Sequence, residues 1–356
     1  MKKKLLSLVM AVAMTSVLFA GCTAGEGTND SSSNTNSTQE ADAGVPVYKV
    51  GIVQYVNDAS LDQITANLEA ELDVLGEQMG VKFDYAPYYE NGQADATMIN
   101  QIVTNLLADQ VDVLVPIATP TALICQSATE GTDIPVVFSA VSDPVGAGLV
   151  ASLDAPGSNI TGTSDSLNTK AVMDLILAAN PDTKKVGLLY DSSQDSSKAP
   201  IEDAKAYLAA KGIEVVEKTG TTNAEVMAAA DSIVAAGCDA VFTPTDNTIM
   251  TAELSIYGKF IDAGIPHYCG ADSFALNGAF CGYGVDYAYL GKVTADMVAE
   301  VLVNGKKPAE YPVVIMDNGA ATVNTDTASA IGLDYSMFAG MCTDLIETTT
   351  KEGFDK

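Results

Sequence analysis

The chain repeats itself once, with a period too long for a stack of small repeats. Lys49-Val50-Gly51-Ile52-Val53-Gln54 returns as Lys185-Val186-Gly187-Leu188-Leu189-Tyr190. Val111-Asp112-Val113-Leu114-Val115-Pro116 returns as Cys238-Asp239-Ala240-Val241-Phe242-Thr243, and Ile134-Pro135-Val136-Val137 as Ile265-Pro266-His267-Tyr268. The three pairs keep their order at an offset of about 130 positions, well beyond the roughly 20–50 residues of solenoid units. One match between Val-rich segments arises by chance. Three in register require two copies of one structural unit.

Each copy alternates short apolar runs with helix-length segments. Strands are expected at 48–54, 82–86, 112–117 and 135–140, then at 185–190, 214–217, 240–243 and 266–270. Between them, segments such as 61–79, 95–108, 169–179, 201–211 and 224–236 space Leu, Ile, Val and Ala at helical intervals. Strands apolar on both sides, joined by helices, form parallel sheets covered on both faces. The fold class expected is therefore α/β: two similar doubly wound parallel-sheet lobes.

The segment before the repeat is of another kind. Lys2, Lys3 and Lys4 precede an apolar run to Ala20, then Gly21 and Cys22, the order of a secretory signal ending in a lipoprotein processing site. Residues 1–21 are read as signal peptide, with Cys22 lipidated and the mature chain held outside the cytoplasmic membrane. Residues 22–44, rich in Ser, Thr, Asn and Gly, cannot bury a core and are read as a flexible tether.

Composition removes several functions. Acidic residues number 46 against 18 basic ones, all of them Lys, so a phosphate backbone would be repelled and no nucleic-acid partner is expected. One His and no Arg leave little material for His triads, His metal sites or arginine clamps. The single His267 follows Ile265-Pro266 in an apolar run, where packing is its ordinary role. Beyond Cys22, the cysteines (125, 238, 269, 281, 342) have no metal-ligand spacing; Cys269 and Cys281 could pair, but buried thiols fit the pattern better. No metal and no cofactor are expected.

In doubly wound sheets, ligands sit beyond the carboxyl ends of the strands. Those positions hold Gln54-Tyr55, Thr119-Pro120-Thr121, Ser139 to Asp143, Asp191-Ser192-Ser193, Asp246-Asn247 and Asp272. All are residue types that also cap helices and populate loops. The candidate ligand-binding set is Gln54, Tyr55, Thr119, Thr121, Ser139, Asp143, Ser192, Ser193, Asp246, Asn247 and Asp272. Without arginine, a carboxylate would be held by helix N–H groups and by Ser or Thr hydroxyls, with Asp246 and Asp272 facing an ammonium group. Tyr55, Phe138, Tyr190, Tyr268 and Tyr283 could wall an aromatic ligand, although core packing is the competing role, above all for Tyr190 and Phe138. No catalytic residue is assigned: an enzyme using Asp143 and Asp272 as acid and base is conceivable, but there is no nucleophile elbow, phosphate loop or metal set.

These residues resemble a known family. The 54–62 segment, Ile117-Ala118-Thr119-Pro120, Val137-Phe138-Ser139-Ala140-Val141-Ser142-Asp143-Pro144-Val145, Pro156 to Gly162, Pro244-Thr245-Asp246-Asn247 and Tyr283 to Tyr287 are similar to ABC-transporter substrate-binding lipoproteins of the tryptophan/tyrosine-uptake type. The resemblance implies a type I periplasmic-binding-protein fold with a three-strand hinge, crossed near 163–168, 278–284 and 306–312. The lobes would comprise 45–165 plus 281–306 and 166–280 plus 307–345, leaving 346–356 as a tail. It further implies an ABC permease as partner, a monomeric binding protein, and an aromatic amino acid as ligand; a sugar, a nucleoside or a sensing role are the alternatives. Sugar sites commonly stack on Trp, which the chain lacks. Two loops depart from the family pattern: Asn57-Asp58 replaces Glu-His, and Gln194 and Ser196 replace Glu and Asn.

Overall fold

The computed structural model describes residues 44–351, so the signal, Cys22 and nearly all of the tether lie outside the described residues. The first lobe begins β1 (Val47–Gln54), α1 (Ala59–Met79), β2 (Lys82–Asp84), β3 (Tyr89–Asn91), α2 (Ala96–Ala108), β4 (Val113–Ile117), α3 (Thr119–Thr129), β5 (Val136–Phe138) and β6 (Ile160–Ser164). The second holds α4 (Thr169–Ala179), β7 (Lys185–Tyr190), α5 (Asp195–Ala210), β8 (Glu214–Thr219), α6 (Asn223–Ala235), β9 (Ala240–Thr243), α7 (Asn247–Asp262), β10 (His267–Cys269), α8 (Asp272–Leu276) and β11 (Cys281–Gly284). The chain then supplies α9 (Tyr287–Leu302), β12 (Val314–Ile315), β13 (Ala320–Asn324), α10 (Thr325–Ile331) and β14 (Asp344–Thr348).

One sheet runs β12-β6-β5-β4-β1-β2, with β3 continuing beside the end of β1; the other runs β14-β13-β11-β10-β9-β7-β8. All pairings are parallel except β11 with β13. Each sheet buries both faces. Val53, Leu114, Phe138 and Ile160 face one core of the first lobe, while Val50, Ile52, Val115 and Ile64 face a second core that continues into the other lobe through Val241, Ile249 and Phe274.

The repeat has a physical reading at each matched position. Asp112 accepts the backbone N–H of Lys49 at 2.7 Å, and Asp239 accepts those of Lys184 and Lys185 at 2.8 and 2.9 Å, so each Asp fixes the start of its neighbouring strand. The prolines enter β5 and β10 alike, the carbonyl of Pro135 accepting from Leu114 and that of Pro266 from Val241. Gly51 and Gly187 make room for a helix residue above the sheet. A methyl at Gly51 would stand 3.2 Å from Leu106, and one at Gly187 2.7 Å from Ile233.

The lobe boundaries need correction. β11, expected in the first lobe, extends the second sheet, because its backbone pairs with β10 and β13. β12, expected in the second lobe, pairs with β6 in the first. The chain therefore crosses between lobes at 164–169, 284–287 and 316–320, the last of these later than the resemblance implied. The expected tail also begins too early, since β14 pairs with β13 through Thr348.

α9 completes the first lobe by lying against α1. Gly291 permits the approach: a Cβ there would sit 2.4 Å from the carbonyl oxygen of Ile64, which is backbone and cannot swing aside. Gly291→Ala is expected to push the helices apart and destabilise the protein by about 1–3 kcal/mol, the usual range for overpacking. Thermal unfolding checks this, and an unchanged midpoint would refute the contact.

Candidate ligand-binding site

The lobes meet over a cleft lined from the first by Ser60, Leu61, Ala118, Thr119, Ala140 and Ser142, and from the second by Ser196, Thr245, Asn247, Met250 and Ala271. Asp165 and Tyr287, each just past a crossover, close its hinge side. The strand-end rule explains why these residues gather here: β1, β4, β5, β6, β7, β9 and β10 all deliver their following loops to this seam.

α3 points its N-terminus into the cleft. Its first intrahelical bond runs from Ala122 N–H to Ala118 O at 3.1 Å, so the N–H groups of Thr119 and Thr121 precede the ladder, and Pro120 has none to offer. The Thr121 hydroxyl is fully buried and has no hydrogen-bond partner, and neither has that of Ser196 across the cleft. Buried hydroxyls in proteins are nearly always satisfied, so that of Ser196, which lines the cleft, marks a place built for another group. Ala118 and Ala140, both in the cleft wall, hold φ values of 80° and 54°. Such backbone strain at non-glycine residues concentrates at ligand sites.

Carboxylates gather near this neutral donor set. Asp165, 4% exposed, accepts from the hydroxyls of Ser142 at 2.9 Å and Tyr287 at 3.2 Å. Burial raises its pKa despite those bonds. Asp58 caps α1, accepting the Ser60 N–H at 2.9 Å, and burial pushes it to about 7, with the Asp272 charge adding to the rise. Asp272 retains some surface at the rim of the seam, yet atoms crowd its carboxyl, and burial raises its pKa too. It accepts from Ser60 Oγ at 2.6 Å and Gln63 Nε2 at 3.1 Å, both on the other lobe. No lysine lines the cleft.

The lobes are closed on one another. The enclosed volume between them is about 20 Å³, about enough for a single water, whereas small-molecule pockets hold about 300–1,000 Å³. A ligand of amino-acid size enters only when the hinge strands let the lobes part. A separate, wider groove of about 300 Å³ lies beside the cleft and shares Ser142 and Ser196 with it.

The sequence-derived candidates divide into groups. Thr119 and Asn247 line the cleft, Thr121 follows Thr119 in α3 without being part of the lining, and Asp272 bridges the lobes. Tyr55 reaches the second lobe beside Gln194, and burial raises its pKa. Asp143 opens onto the outer groove, where it accepts the Gly146 N–H at 2.8 Å. The others are placed elsewhere. Gln54 is fully buried and spends its amide on Val56 O, Asp62, Thr65 and Tyr89. Ser139 bonds Thr294 of α9 at 2.9 Å. Ser192 and Ser193 are exposed, the latter turned back onto Asp191. Asp246 accepts four bonds, from Thr248 and Ile249 N–H, Asp191 N–H and Ser197 Oγ, and so ties the start of α7 to the loop after β7 and to α5 within its own lobe instead of facing an ammonium group.

The aromatic wall also needs correction. Phe138, Tyr268 and Tyr283 are core residues, and Tyr190 bonds Glu217 at the surface. The ring that does line the cleft is Tyr287, which the sequence reading missed as a site residue, together with Asp165. Asp165 follows the end of β6, so the strand-end rule would have found it had the crossover strands been included.

The family model described as ABC transporter substrate binding protein matches residues 49–337. A tyrosine-binding protein of Clostridioides difficile is 32% identical over 334 residues, 93% of either chain. Among solved structures, an ABC domain from Streptococcus pneumonia in complex with L-Trp aligns at 31% identity and a TM-score of 0.77, covering 84% of this chain and 99% of that one. A ligand-free, open substrate-binding protein with adhesive properties from Clostridium difficile aligns at 30% identity, covering 85% and 100%, with a TM-score of 0.66.

Proposed function

This chain belongs to the ABC transporter substrate-binding protein family, and from that premise we propose that its lobes close on a free aromatic amino acid and present it to a membrane permease. The observation that carries the reading is the gathering, at one inter-lobe cleft, of the α3 N-terminus, whose Thr121 hydroxyl has no partner, the unpartnered Ser196 hydroxyl of the other lobe and the buried Asp165 carboxylate. The first set receives a carboxylate, through the N–H groups of Thr119 and Thr121 and the Thr hydroxyls. Asp165 receives the α-ammonium, oriented by Ser142 and Tyr287. The side chain of the ligand then points toward Leu61, Met250 and the small residues Ala118, Ala140 and Ala271, which leave room for a ring once the lobes part. Tyrosine and tryptophan are favoured, since these are what the tyrosine-binding relative and the L-Trp complex are described as binding.

Nothing in this arrangement moves electrons or breaks bonds. Capture and hinge closure are the whole mechanism, and the closed, loaded form is what the permease recognises. Proteins of this family work outside the cytoplasm, and the Lys2–Lys4, apolar run and Cys22 order supports a lipid anchor at Cys22 with 22–44 as its tether. A monomer suffices, because both walls of the cleft come from one chain.

A thermal-shift screen against amino acids, sugars and nucleosides tests the ligand class. Ligand at 100 times its dissociation constant adds about 2.7 kcal/mol, enough to move the midpoint by several degrees. Shifts with tyrosine, tryptophan or phenylalanine alone are expected. A shift confined to a sugar or nucleoside would overturn the ligand assignment. Thr121→Val, which removes the unpartnered hydroxyl at nearly constant volume, is expected to weaken binding by about tenfold, measured by titration calorimetry; unchanged affinity would remove Thr121 from the carboxylate site.

A further inference from the structure

We propose that the cleft exchanges a proton for the ammonium group of its ligand, so that acid closes the lobes by itself and loading at neutral pH replaces the proton with the amino acid. The inference deepens the amino-acid reading and rests on it for the identity of the incoming cation.

Closure brings carboxylates from both lobes together. Asp58 stands at the N-terminus of α1, and Asp272 is drawn to the same place by Ser60 Oγ at 2.6 Å and Gln63 Nε2 at 3.1 Å, contacts that exist only across the seam. Ser273 N–H adds a longer bond to Ser60 Oγ at 3.3 Å. Tyr287 of α9 stands between this pair and Asp165, and the charges of all three carboxylates bear on its hydroxyl. The groups that face Asp58 are the Ser60 and Leu61 N–H groups from α1, Asp272 and Ser273 from α8, and Tyr287 from α9. None is a cation, and the chain has no arginine. Like charges gathered in a poorly hydrated seam cannot all stay ionised, so a positive charge must enter with closure. The unpartnered Ser196 hydroxyl, 2% exposed in the cleft that Ser60 and Tyr287 also line, is the independent sign that a ligand belongs there.

The direction follows from linkage. A carboxyl raised to about 7 in the closed form, from 3.8 ordinarily, favours that form increasingly as pH falls through 7. An ammonium group supplies the same compensation at higher pH, so its entry expels the proton.

Two measurements on the protein test the exchange. Without added amino acid, small-angle scattering should show a smaller radius of gyration at pH 5.5 than at pH 8, and Asp58→Asn should be equally compact at both. Equal radii for the parent protein at the two pH values would overturn the proposal whatever the ligand is. With L-tyrosine, calorimetry in buffers of different ionisation enthalpy should show net proton release near pH 6.5. Affinity should fall by about fivefold or more from pH 8 to 5.5, and the fall should vanish in Asp58→Asn. Tyrosine binding with no proton release and no pH dependence would overturn the exchange while leaving the amino-acid site intact. Failure of every aromatic amino acid to bind, with acid closure retained, would instead remove the ligand assignment and leave the proton-driven closure standing.

Discussion

His267→Ala is expected to destabilise the protein by about 3–5 kcal/mol, the cost of leaving one member of a buried pair alone. His267 and Glu253 are 2% and 0% exposed, and the ring Nδ1 lies 3.1 Å from Glu253 Oε1. On its other side, Nε2 lies 2.8 Å from the Thr243 hydroxyl. That hydroxyl spends its single proton on Leu189 O at 2.8 Å, so Nε2 must be the donor. Nδ1 is then what faces the Glu253 carboxyl, whose Oε2 has no partner at all. Removing the ring strands that carboxyl among Phe260 and Phe274, which now pack edge-on against the imidazole. Thermal unfolding should show a midpoint lower by roughly 5–8 °C for a chain of this length. Replacing both partners, as in His267→Phe with Glu253→Leu, should recover most of the loss, since an apolar pair carries no stranded charge. A single variant within 1 kcal/mol of the parent (roughly the scatter of surface substitutions) would show that water reaches Glu253.

The second large effect concerns binding. Asp165→Asn is expected to weaken tyrosine affinity by about 10–100-fold, the range for losing a charge-assisted hydrogen bond of about 1.5–3 kcal/mol. The substitution keeps an oxygen for the Ser142 hydroxyl and removes only the charge, so the thermal midpoint without ligand should hold or rise as the buried charge disappears. Asp246→Asn is the informative contrast. Its carboxylate is satisfied four times over inside the second lobe, so that variant should lower the midpoint before it alters affinity. Calorimetry and thermal unfolding on the two variants separate the roles. Equal affinity for Asp165→Asn and the parent would move the ammonium elsewhere.

That contrast also shows how far the sequence could be read. The two-lobe architecture was legible because its physical causes recur at fixed spacing: an Asp that starts a strand, a glycine under a helix residue, a proline that leads into the next strand. Strand ends were legible as a class, and Thr119 and Asn247 do line the cleft. Which strand-end residue turns outward was not. Asp246 and Asp165 are alike in type and both follow a strand, but four donors reach the first and two the second, a property set in part by residues of other elements such as Asp191, Ser197 and Tyr287. Gln54 fails the same way, since Thr65 and Tyr89 occupy its amide from a helix and a strand whose approach no local pattern records. The hinge was misplaced because β11 and β12 are short, and their sheet membership is decided by pairing partners far along the chain.

The position of α9 and β12 bears on when the protein can fold. Residues that finish the first lobe arrive only after β7 to β11 of the second have been made, so α1 waits for Gly291, and β6 waits for Val314, until most of the chain has emerged. An early fragment ending at the first crossover exposes the apolar face of α1 and an unpaired edge of β6. Such a chain stays loose while it is being synthesised, and that delay suits a protein that must be threaded across a membrane before it takes its final form.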